Sequence, residues 1–445
     1  MPALAPLPAY RAPGGIEQVV KQLSVDVIHN PSLDFTALPP RQQWPGSPVR
    51  AKQPLDLVVM LRQHSPDRLH LSALDTNRRT PRGGTPNAYL NISASELLQA
   101  AARLRTEWSR RLVHYQPRDA DGMPLGGHPF SDEVDLSAHA EFSHRLTEDL
   151  ADEGQHFLER LLEGADPRMA ELRSFLTDTL AGEEGLRISF DSDLHLPWPM
   201  LAVVPPDGAP LLHGFLGYRH QIEQTGAHAF PHTQREVLAR ALPVTSLNTD
   251  VTLDAVGRAP EVRKLLEERS RLTVRTESEE LLDDLAAPVM DDDVMYFWCH
   301  GAFVENGSPH PHLAVKLTDS QPIDAELVLR KRRRHTSSGD ALFRPFVLLN
   351  ACYTGQTAPE PGIKHLGAAL VNLGADGVIG PQFDIPQLFA SEYALEFLGH
   401  YLSGDSTAGE IAMGLVRSYA HRFHNPLGLA YSVYCGIDSR LEQTL

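Results

Sequence analysis

The chain has 445 residues, 42% hydrophobic and 22% charged, globular values for a protein large enough to hold two domains. Its net charge of -17 argues against binding nucleic acid directly or an anionic membrane surface, both of which require clustered positive charge. Cys299, Cys352 and Cys435 are the only cysteines, too few for a disulfide framework; with no long apolar run and no leader-like N-terminus, a cytoplasmic protein is expected.

Residues 1–54 contain ten prolines and read as an extended arm. Leu55 to Leu61 and Leu69 to Leu74 form two expected strands about a His64-Ser65-Pro66-Asp67 turn, and Thr76 to Asn87 a polar loop. Ser93 and Glu96 make a capping box ahead of Leu97, Ala101, Leu104, Trp108 and Leu112, which share one helical face. Helical spacing continues from Phe142 to Leu161 and, after Asp166-Pro167, from Met169 to Leu180. A strand is expected at Leu186 to Asp191 and another from Phe215 to Ile222. Residues 55–235 are read as an N-terminal α/β domain.

From about residue 236 the pattern alternates strand and helix, which predicts a mostly parallel sheet with helices on both faces over 236–445. The elements are Val244 to Leu253, Val262 to Arg269, Leu272 to Arg275, Ser278 to Ala286 and the apolar run VMYFWCHG, Val294 to Gly301. Leu313 to Leu317 is a short strand, and Arg330 to His335 a basic run. That run reads first as a solvated loop, and otherwise as a patch for an acidic partner or a self-cleavage site. RPFVLLNACYTG, Arg344 to Gly355, is a strand buried on both faces that ends on a thiol. Helices follow at Ile363 to Leu373, Phe389 to Tyr401 and Thr407 to Phe423, with strands at Gly377 to Gly380 and Leu429 to Cys435.

Two of these strands carry chemistry. One ends on His300-Gly301 and the other, fifty-two residues later, on Cys352. Parallel pairing would bring imidazole and thiol to one sheet edge, where an imidazole can favour the thiolate and protonate a leaving amine. The plainer alternative is a packed histidine and a buried thiol. Cys299 precedes His300 and should face the core, and Cys435 reads the same way. His310 and His312 lack further partners at ligand spacing, so no metal or other cofactor is expected.

Several blocks together carry a resemblance: LPWPML (Leu196 to Leu201), FLGYRHQIE (Phe215 to Glu223), YFWCHG (Tyr296 to Gly301), LLNACYTG (Leu348 to Gly355), GADGVIGPQFDIP (Gly374 to Pro386), FASEYALEF (Phe389 to Phe397) and NPLGLAYSVYCG (Asn425 to Gly436). In this order they resemble the CHAT peptidases, caspase-like proteins in the clan of caspases, metacaspases and separase. The resemblance implies a caspase-like α/β fold, with residues 55–235 as a degenerate caspase-like half, and cysteine endopeptidase activity. It implies Cys352 as nucleophile, His300 as general acid/base, and the N–H groups of Gly301 and Cys352 as the oxyanion hole. Asn350 would face the pocket for the residue before the cut, as a neutral amide where metacaspases carry an aspartate. Asp384 borders the same pocket, or else serves a turn. Pro199, Phe383 and Gln387 depart from the family pattern, all outside the dyad. The partners implied are a protein substrate, for which a gasdermin-like pore former is one expectation in bacterial defence, and an activating sensor or repeat protein on a separate chain. The competing reading is an interaction scaffold that keeps the fold without turnover.

Overall fold

The computed structural model describes residues 54–76, 85–182, 185–205, 208–226, 241–304, 312–336, 343–353 and 366–442. The proline-rich arm, apart from residue 54, and His310 lie outside the described residues. In the first half, β1 (Leu57–Ser65) and β2 (Arg68–Asp75) form the expected hairpin, with Leu57, Val59 and Leu61 buried at alternate positions, and β3 (Asn87–Tyr89) pairs with β2. The capping box starts α1 (Ala94–Trp108): the Ser93 N–H donates to Glu96 Oε2 (3.0 Å) and the Glu96 N–H to Ser93 Oγ (3.3 Å). The short α2 (Pro129–Asp132) is followed by α3 (Ala140–Leu161) and by α4 (Pro167–Ala181), which Asp166 caps by accepting the Arg168 N–H (2.9 Å). Next come β4 (Arg187–Ser192), a single turn α5 (Leu216–Arg219) and β5 (Gln221–Thr225).

The strand expected from Phe215 is therefore corrected at its start. A Cβ on Gly217 would stand 2.7 Å from Pro199 Cβ, so the chain makes its close approach there as a helical turn. The buried Arg219 then donates to Leu180 O (3.1 Å) and Ala181 O (2.9 Å), carbonyls at the end of α4.

The second half comprises β6 (Val244–Thr249), α6 (Ala259–Arg269), β7 (Arg271–Arg275), α7 (Ser278–Ala286), β8 (Val294–Val304), β9 (His312–Lys316), β10 (Pro322–Asp324), α8 (Ala325–Thr336), β11 (Phe346–Tyr353), α9 (Leu366–Leu373), β12 (Gly377–Pro381), α10 (Gln387–Tyr401), α11 (Ala408–Arg422) and β13 (Tyr431–Tyr434). The result is a mixed α/β fold on one large, mostly parallel sheet. Its order is β10-β9-β8-β11-β12-β13-β5-β4-β1-β2-β3, with β6 between β7 and the first part of β8. Strands of both predicted domains thus share one sheet, and β13 sits between them. β13 is antiparallel to β12 but parallel to β5. The parallel set β6, β8, β11, β12 and the parallel set β1, β4, β5, β13 consequently run in opposite directions.

Alternation along β8 and β11 builds two cores. Val294, Tyr296, Trp298, Phe346 and Leu348 join the larger one, which includes residues of α6, α10 and α11. Met295, Phe297, Cys299, Val347 and Leu349 join the smaller one with residues of α7, α8 and α9. Helices therefore cover both faces, and the central strands are apolar throughout for that reason.

The basic run is also corrected. Residues expected to form a solvated loop lie in α8, and Arg332 is 0% exposed. Its guanidinium donates to Ala287 O (2.6 Å) and Pro288 O (3.4 Å), which follow α7, and lies 5.2 Å from the Phe343 ring centroid. A charge pattern cannot distinguish an arginine that faces water from one that caps a neighbouring helix end. Arg332→Ala should cost about 1–3 kcal/mol in denaturant unfolding, because it empties the space of a buried side chain and removes its hydrogen bonds to the carbonyls after α7. Arg330→Ala, at an exposed position of the same helix, should stay within about 0.5 kcal/mol of wild type.

Candidate active site

β8 is the longest strand at the site, and it changes partners along its length. Residues 294–298 pair with β6 and residues 300–304 with β9, while β11 runs parallel along the other side. In that parallel ladder Ala351 pairs with Cys299 and Cys352 with His300. Neighbouring strands stand about 4.8 Å apart, so the two residues of the expected dyad are backbone neighbours. Cys352 is one residue from the carboxyl end of β11, whereas β8 does not end on His300-Gly301 as expected but runs on to Val304 against β9, so His300 lies where β6 has ended and β9 begins to pair. Cys299 is 2% exposed in the smaller core, and the His300 side chain, one residue on, is 39% exposed.

The change of partner at His300 makes room for a third group, Asp250. β6 stops at Thr249, and the Asp250 N–H donates to Trp298 O (3.0 Å), which holds the strand tip beside β8. Asp250 Oδ1 accepts the Thr252 N–H (2.9 Å) and the Thr252 hydroxyl (2.8 Å), and its Oδ2 lies 3.6 Å from His300 Nε2. The turn is fixed from below by the Trp298 indole N–H, which donates to Leu253 O (2.9 Å). A largely buried carboxylate, with one oxygen committed to the backbone and the other facing an imidazole, can orient the ring. Asp250 was missed from sequence because the expected strand ran on to Leu253. The missed signal is Asp250-Val251-Thr252, an aspartate able to accept a backbone N–H two residues on, which ends a strand.

The structure also places the other expected site residues. Gly301 is buried, register partner to Tyr353 on β11 and to Val315 on β9. Asn350 is 2% exposed, and both ends of its amide are engaged: Nδ2 donates to Ala390 O (2.8 Å) on α10, and Oδ1 accepts the Tyr431 hydroxyl (2.8 Å) on β13. The side chain expected to face a substrate pocket thus ties β11 to α10 and β13. Tyr431 is itself stacked on Tyr393 of α10 at 3.8 Å. Asp384 is partly buried in the segment after β12, next to Phe383, which is 4% exposed and packs against Trp108. Cys435 follows β13 at the opposite sheet edge in a positive-φ conformation (60°), and is partly exposed where a core position was expected.

No family model matches the chain. A probable protease of Vitiosangium sp. (strain GDMCC 1.1324) is 33% identical over 143 residues, covering 31% of this chain and 17% of that protein. Two crystal structures of the Saccharomyces cerevisiae separase-securin complex align with TM-scores of 0.43 and 0.42 at 13% and 9% identity, each over 86% of this chain and 30% of that chain. The chain thus spans well under half the length of these proteins.

Asn350→Ala should lower unfolding free energy by about 2–4 kcal/mol, since two buried partners lose their hydrogen bonds. Calorimetry or denaturant titration checks this. A variant of unchanged stability would instead indicate an amide that does not brace the strand.

Proposed function

We propose that the chain is a caspase-like cysteine endopeptidase of the CHAT type, with Cys352 as nucleophile and His300 as proton carrier. The observation that carries this reading is the register pairing of Cys352 with His300 near the end of β11, with the Asp250 carboxylate 3.6 Å from His300 Nε2. The similarity to a probable protease over 143 residues supports it.

In this mechanism the Cys352 thiolate attacks the scissile carbonyl carbon, and the carbonyl π electrons move onto oxygen. The N–H groups of Gly301 and Cys352 are assigned to stabilise that oxyanion. Collapse of the tetrahedral species breaks the C–N bond, and the protonated His300 gives its proton to the departing amine. The thioester is then opened by water, whose proton His300 takes up before the thiol is restored. Asp250 is a positioning residue: with Nε2 facing its carboxylate, Nδ1 is the nitrogen assigned to exchange protons with sulfur and leaving group. Asp384, beyond β12, is assigned to the pocket for the residue before the cut.

The substrate is proposed to be a protein, with gasdermin-like pore formers as the first candidates. A separate sensor or repeat protein would release activity in a cytoplasmic defence pathway. An inactive scaffold is the reading the following experiment would leave standing.

A peptide-library cleavage profile, repeated with candidate protein partners present and read by mass spectrometry, should yield cuts after one preferred residue. Cys352→Ala and His300→Ala should each lower kcat by about 10⁴ or more, and Asp250→Asn by about 10² with little change in KM. Melting temperatures close to wild type would exclude unfolding as the cause. Cleavage that persists in Cys352→Ala would overturn the assignment.

A further inference from the structure

The opposite edge of the sheet holds a second concave site. Because β13 is antiparallel to β12, the set β1, β4, β5 and β13 points its carboxyl ends away from the dyad. At those ends, beside Ser65, Ser192, Thr225 and Tyr434, lies a cavity of about 470 Å³, closed on one side by α9 through Val371. Crevices outside the carboxyl ends of parallel strands are where open α/β sheets take ligands, and this volume suits a small molecule. Each direction of the sheet therefore has its own rim, and the dyad occupies only one of them.

The lining indicates what would fit. Among the described residues it contains one carboxylate, Asp193, and no lysine or arginine. Gln224, buried at the end of β5, donates from Nε2 to Leu194 O (3.0 Å) and lies 3.1 Å from His195 Nδ1. Burial pushes His195 down to about 4, with the Arg105 guanidinium acting in the same direction, so the ring is neutral at pH 7. Asp193 accepts the Gln63 N–H at Oδ2 (2.8 Å), and its Oδ1 lies 3.6 Å from Arg62 Nη1. That guanidinium is also bound by Asp191. One cation, Arg62, is thus shared by two carboxylates, while the other nearby guanidinium, Arg105, is turned to His195 O (3.0 Å) and Gln382. An ammonium group could share the Asp193 carboxylate with Arg62, whereas phosphates and carboxylic acids would meet that carboxylate with no lysine or arginine among the described lining residues.

We propose that this cavity binds a small primary amine, with its ammonium group against Asp193 and its chain directed toward Gln224 and Thr225. The site is separate from the proposed peptidase centre and does not depend on it.

The test uses the full chain with 1,4-diaminobutane as probe, and with 1,4-butanediol and succinate as neutral and anionic counterparts of similar length. Binding is followed by calorimetry and ligand-observed NMR. The diamine should bind, and the diol and the diacid should bind at least about tenfold more weakly, the scale of one charge-assisted hydrogen bond. Asp193→Asn should weaken diamine binding about tenfold, and Ser65→Trp, which obstructs the mouth, should abolish it. Glu267→Gln, on an exposed face of α6, should leave binding unchanged and so separates the site from general attraction to an acidic protein. The proposal is overturned if the diamine does not bind at millimolar concentration, if the diol binds equally well, or if Glu267→Gln weakens binding as much as Asp193→Asn.

Discussion

The register of one parallel strand pair governs the rest of the site. β8 and β11 are locked by eight successive residue partners, from Phe346 opposite Val294 to Tyr353 opposite Gly301. A slip of one residue would exchange the contents of the two cores, sending Tyr296 and Trp298 where Met295 and Phe297 now pack. The apolar residues on both faces therefore fix the alignment, and that alignment sets Cys352 beside His300. Asn350 strengthens the same lock through α10 and β13. Its buried amide holds the strand that carries the thiol without itself being open to a ligand.

Reversal of strand direction across the β12/β13 junction organises the whole molecule. The dyad rim gathers the ends of β6 and β11 on either side of β8 at His300, and the second rim gathers the ends of β1, β4, β5 and β13. α9 follows the segment after the cysteine strand in sequence and borders the cavity at the other edge through Val371. The two rims differ in chemistry. One presents a half-buried imidazole backed by a carboxylate, and the other an imidazole whose pKa burial lowers and a carboxylate that shares its guanidinium.

Much of this was legible in sequence because the signals were local. The capping box of Ser93 and Glu96, the helix start at Asp166-Pro167 and the unbroken apolar runs of β8 and β11 all depend on residues close together in the chain. Other features depend on what a residue meets. Arg332 reads as surface charge until α7 presents its terminal carbonyls, and Gly217 reads as strand until Pro199 packs against it. Asp250 lies fifty residues from His300 in sequence, and the two meet only because β6 pairs with β8 and ends one residue before the aspartate. The joining of both halves into one sheet had no local signature, since β13 enters it from the far end of the chain.

The central claim is that His300 governs the reactivity of Cys352. The most direct measurement is the rate of iodoacetamide alkylation at each cysteine as a function of pH, resolved by mass spectrometry, in wild type and in His300→Ala. The account predicts fast alkylation of Cys352 below the ordinary thiol range, near 8.5 for free cysteine, with a dependence on pH that His300→Ala moves upward, and slow alkylation of the buried Cys299 in both proteins. Equal, sluggish rates at Cys352 with and without the imidazole would contradict it.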